Sequence, residues 1–102
     1  MNFKPYEKYV ILYILSKIMK ADGIINPKEQ EYMNRMYEQW GITIQEISII
    51  MDLDLNSCVH IYSEMSADKK KTARQYFEEM AEADGFVDPR ELNVIRSLTL
   101  KD

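Results

Sequence analysis

Residues 21 to 29 read ADGIINPKE and residues 83 to 91 read ADGFVDPRE, so a nine-residue segment occurs twice at a constant offset of 62. Each copy offers carboxylates at fixed spacing: Asp22 and Glu29 in the first, Asp84, Asp88 and Glu91 in the second, with Glu82 just ahead of it. Oxygen donors gathered on one tight loop suit a hard divalent cation such as Ca²⁺, Mg²⁺ or Mn²⁺, and carboxylates also serve Zn²⁺. The pattern D-G-x-[IV]-x-x-x-E matches the second half of a calcium-binding EF-hand loop. The first half is absent. Its opening ligand positions fall on Ile18 and Lys20, or on Met80 and Glu82, and an Ile, a Met or a Lys cannot supply an oxygen. The spacing therefore argues against an EF-hand and leaves open a looser oxygen-ligand site for a hard divalent cation.

Most positions of the segment also have a purely structural role. Gly23 and Gly85 fall where a helix ends, a place for left-handed backbone. Asn26 and Asp88 are N-cap residues, Pro27 and Pro89 suit the first helical position, and Glu29 and Glu91 stand where a capping-box acid reaches back. Ile25 and Val87 are expected to point inward. Asp22 and Asp84 alone escape this account, because an Asp at a helix C-terminus faces the negative end of the dipole.

Charge separates the two copies. Ser16, Lys17 and Lys20 precede the first loop, whereas Glu78, Glu79 and Glu82 precede the second. Lys69, Lys70, Lys71 and Arg74 meanwhile crowd the start of that same helix. Both ends oppose the macrodipole, at about 0.3–1 kcal/mol per exposed charge. A cation at the second loop would relieve the excess; glutamates facing solvent or a basic neighbour would tolerate it.

The elements that must position these loops are helices. Pro5 opens one that runs to about Lys20 through Val10, Ile14, Leu15 and Ile18 at helical spacing. Asn26 caps a second that Gly41 stops, and Thr43 with Glu46 forms a capping box for a third. Asp54 or Asn56 caps a short helix around Cys58, Ser66 caps one from Ala67 to about Ala83, and Asp88 caps the last. Residues Ile14, Leu15 and Ile18 correspond across the repeat to Tyr76, Phe77 and Met80. The expectation is an all-α fold: one compact domain, residues 1–102, of about six helices built from a duplicated helix-loop-helix.

Composition closes other routes. The chain has 102 residues, 13 Lys+Arg against 17 Asp+Glu and a formal charge of −4, which gives no general attraction to nucleic acid. A single His and a single Cys leave little material for a catalytic triad, so no enzyme is expected. Cys58 and His60 project to different faces of their helix. The longest apolar run, Tyr9 to Leu15, falls well short of the roughly 20 residues that span a bilayer. It reads as a buried core helix of a cytoplasmic protein. The Lys69–Lys71 run reads as a solvated helix face, with peripheral contact to lipid headgroups left open.

Two ADG-x-x-x-x-x-E motifs about 60 residues apart in a small helical chain resemble the tellurite-resistance TerB-like family. That family includes stand-alone TerB proteins and the amino-terminal domain of membrane-anchored co-chaperones. The likeness covers about residues 5 to 99. It implies a duplicated helical bundle, a role in stress-response assemblies with other proteins, and divalent-metal binding through Asp22 and Glu29 in one loop and Asp84, Asp88 and Glu91 in the other. Lys20 and Lys28 depart from the pattern beside the first loop, so the second is the better metal candidate. No His-Pro-Asp tripeptide of a J-domain is present. The alternative reading is an interaction or dimerisation scaffold with structural loops.

Overall fold

A computed structural model describes residues 2–21, 23–83, 85 and 88–99. Six helices follow in order: α1 Pro5–Met19, α2 Pro27–Gln39, α3 Ile44–Met51, α4 Leu55–Ser63, α5 Ala67–Ala81 and α6 Pro89–Thr99. They form an all-α bundle with extents of 32 × 30 × 24 Å. Among the described residues no helix is long and apolar enough to cross a membrane.

Side-chain caps set most of the starts. Thr43 Oγ1 accepts from Glu46 N at 3.1 Å while Thr43 N donates to Glu46 Oε1 at 3.0 Å, the reciprocal box expected from the sequence. Between the two candidates for α4, Asp54 is the cap, through Ser57 N at 2.9 Å. Ser66 caps α5 through Lys69 N. At α1 the backbone N–H of Lys4 donates to Glu7 Oε1 at 2.7 Å, a half-box that adds to Pro5 at the first position. Helices α1 and α5 end at Met19 and Ala81, one or two residues short of the expected Lys20 and Ala83.

α1 is the hub. It packs against every other helix, and Val10, Ile11, Leu12, Ile14, Leu15 and Ile18 are all but sealed from solvent. The apolar run is thus a core helix that buries more than one face, and this explains why its sequence lacks a polar stripe.

The duplication is visible in three dimensions. α1 packs on α2 as α5 packs on α6; α1 also touches α6, and α5 touches α2. Core positions pair at the repeat offset: Ile11 with Ala73, Leu15 with Phe77, Ile18 with Met80, Met33 with Ile95, Met36 with Leu98, all buried. The middle helices break the symmetry, because α3 and α4 both pack on α1. α5 therefore buries only Ala73, Phe77, Met80 and Ala81, and its other faces carry charge.

Candidate functional site

The two elbows repeat almost bond for bond. After α1, Ala21 N donates to Ile18 O at 3.2 Å and Gly23 N to Lys20 O at 3.0 Å. After α5, Ala83 N donates to Met80 O at 3.3 Å and Gly85 N to Glu82 O at 2.9 Å. Gly23 and Gly85 have φ of +78° and +81°, the left-handed backbone that the sequence required of them. The next helix is then capped alike: Asn26 Oδ1 accepts from Lys28 N, and Asp88 Oδ1 from Arg90 N, each at 2.8 Å.

Ile18 and Met80 stand where an EF-hand would begin to ligate, and both are fully buried inside their helices. The helix runs on through that stretch, so the elbow is shorter than an EF-hand loop.

Glu29 and Glu91 are the unusual residues. Both sit in the first turn of the second helix of their unit, and both are buried, to 1% and 3% exposure. Each takes part in a further polar or electrostatic interaction within the protein. A carboxylate removed from water is costly unless positive charge or N–H groups compensate it, and the N-terminal dipole of α2 or α6 supplies part of that compensation.

The other acidic candidates are disposed differently. Asp88 is held by its own neighbour: Arg90 Nε donates to Oδ1 at 3.2 Å and Nη2 to Oδ2 at 3.3 Å. The Arg90 side chain first, then the Arg90 backbone N–H, hold the Asp88 carboxyl below the usual range. Glu82 is an exposed residue at the C-cap of α5. Asp22 and Asp84 lie outside the described residues, as do Phe86 and Val87. Among the described residues no group of three or more His, Cys, Asp or Glu stands close enough together to hold a metal ion.

Two expectations are corrected. Ile25 does not point inward; it is 52% exposed, and Ile24 beside it 68%. The elbow tip is therefore an apolar surface, since no partner for Ile25 exists at Gln30. Nor is the lysine run simply solvated. Lys69 reaches back to the buried Glu7 of α1, with Nζ 2.8 Å from Oε1.

Sequence reasoning also passed over a cleft. Tyr32, Arg35, Met36 and Gln39 of α2 and Tyr76 and Glu79 of α5 line a space of about 400 Å³. Tyr32 donates its hydroxyl to Glu79 Oε2 at 2.9 Å, and burial, followed by this bond to Glu79, pushes the phenol upward. The Arg35 guanidinium lies 6.0 Å from the Tyr32 ring centre. The Tyr76 ring is wedged edge-on against Trp40 at 5.7 Å, with Phe3 completing the stack. Neither His60, exposed on α4, nor any described elbow residue lines this cleft. The i,i+3,i+4,i+7 spacing of Tyr32, Arg35, Met36 and Gln39 is the signal in the sequence that places them on one face of α2.

No protein-family model matches the chain, no curated protein matches it, and no solved structure matches it.

Proposed function

We propose that the chain is a non-enzymatic helical module of the TerB-like kind whose elbow loops take up a divalent cation, the second loop foremost. One observation carries this reading: Glu29 and Glu91, at the same register of both units, are withdrawn from solvent. Loop closure alone would be served by an exposed capping-box Glu at that position. Keeping an ionisable carboxylate inside, twice, is a cost that a bound cation would convert into stabilisation. The second elbow is favoured because Lys20 and Lys28 flank the first in sequence, while Glu82 at the C-cap of α5 leads into the second. Asp88 would exchange its exposed Arg90 partner for the ion.

The test is thermal melting in the presence of Ca²⁺, Mg²⁺, Mn²⁺ or Zn²⁺. A cation that binds only the folded state stabilises it by about 2.7 kcal/mol at a hundredfold excess over Kd. Glu91→Gln keeps the shape of the side chain and is expected to abolish most of the response. Silence toward all four ions at millimolar concentration rejects the metal reading.

A second reading, a docking or dimerisation scaffold, is favoured by the apolar residues that α3 and the start of α4 leave in solvent. Ile44 is 82% exposed, Ile49 52% and Leu55 43%. A concentration-dependent mass in sedimentation, abolished by Ile44→Glu, is its expected signature.

A further inference from the structure

The duplication shows which surface features the bundle itself does not require. The cleft residues Tyr32, Arg35 and Met36 of α2 correspond, at the offset of 62, to Val94, Ser97 and Leu98 of α6. Those counterparts face Leu55 and Val59 of α4 across a small apolar notch. A helix of the chain thus lies beside that face of α6. Among the described residues, the matching face of α2 borders a cleft lined by α2 and α5 alone.

The chemistry differs as well as the covering. Tyr76 and Glu79 on the α5 wall correspond to Ile14 and Lys17 of α1. Ile14 is wholly buried, whereas Tyr76 is half-buried and rests on Trp40. The open groove has therefore gained two phenol rings and a carboxylate at positions where the covered one has aliphatic groups and a lysine. The last turn of α5 carries no basic residue; Glu79 is the acid that lines this cleft, whereas Glu78 lines a separate depression with Lys71 and Arg74. The exposed Glu79 carboxylate beside aromatic and thioether walls complements a cationic side chain carried on an apolar surface.

We propose that the α2–α5 cleft is a docking groove for a helix of a partner protein, seated as α4 is beside α6 and presenting a Lys or Arg to Glu79 between Tyr32 and Tyr76. Arg35 is the resident cation on the Tyr32 ring, and the incoming group would pair with Glu79. The surface suits helix-in-groove recognition, with Met36 at the base as an adaptable contact. The described residues that line it belong to α2 and α5, not to the elbows, and its test uses no metal ion.

The probe is a capped amphipathic 14-residue Leu/Lys helical peptide, titrated into the ¹⁵N-labelled protein with its Leu/Glu counterpart alongside. The expected result is saturable shifts at Tyr32, Met36, Gln39, Tyr76 and Glu79 with the Lys peptide and none with the Glu peptide. Glu79→Gln is expected to weaken binding by about fivefold, the scale of one partly exposed charge pair. Arg35→Gln is expected to strengthen it, and both variants should melt as the wild type does to within a few degrees. Equal binding of both peptides, no saturable binding, shifts spread over other faces, or affinity unchanged in Glu79→Gln would each overturn the proposal.

Discussion

Lys69 Nζ donates to Glu7 Oε1 at 2.8 Å, and the two residues are 62 apart, the same interval that separates the ADG motifs. A residue that touches its own counterpart in a repeat lies near the axis relating the two units. The ion pair therefore ties the start of α1 to the start of α5 where the hairpins meet. Burial opposes the charge on Glu7, yet the hydrogen bonds from Lys69 and from Lys4 N–H, with the charges of both lysines, keep its carboxyl below the ordinary value of 4.5.

Lys69→Met leaves that carboxylate buried without its cation. The expected cost is about 1–3 kcal/mol in urea unfolding. The pH dependence has a definite sign. A depressed folded pKa adds stability above the unfolded value, and this is lost as pH falls from about 4.5 through the folded value. The acid limb of stability should accordingly be shallower in Lys69→Met than in the wild type. Identical limbs would show that the pair contributes nothing.

Cys58 is 1% exposed, and burial, with the charge of Asp54 second, raises its thiol pKa to about 11. The native thiol should resist disulfide-exchange reagents at pH 8 and react fully in urea. Because the unfolded thiol ionises near 9 and the folded one near 11, stability should decline as pH rises between those values. Rapid labelling of the native protein would contradict the burial.

Gly23→Ala and Gly85→Ala place a Cβ into open space, with nothing within 4 Å, so only the backbone matters. With φ near +80° at both, each should destabilise by about 1–2 kcal/mol, and the two losses should add. A neutral substitution would mean that the elbow opens by another route.

Tyr32→Phe removes the hydroxyl that donates to Glu79 across the cleft. Because the bond is partly solvated, a loss of about 0.5–1.5 kcal/mol is expected, with no change in helix content by circular dichroism.

Much of this molecule was legible from its residues. Asn26, Thr43, Ser66 and Asp88 announce helices because a short polar side chain can close only the N–H groups next to it. The repeat was legible because core positions keep their character when the duplication is read at a fixed offset. What stayed hidden depends on long-range geometry. Nothing in Lys69 says that it reaches Glu7, since that contact exists only once both hairpins have folded together. Glu29 and Glu91 read as capping-box acids, and local patterning does not show that both are buried. Ile25 is apolar and precedes the cap, yet it is 52% exposed, while Met33 and Met36 of the helix that follows are buried.

The most direct test of the proposed function is a melting titration of the wild type beside Glu91→Gln, using Ca²⁺ and Mn²⁺ up to millimolar levels. The account predicts that at least one ion raises the wild-type transition by roughly 10–20 °C near a hundredfold excess over Kd, and that Glu91→Gln stays within a few degrees of its ion-free value. A wild-type transition that does not move, or a variant that rises as far as the wild type, would contradict it.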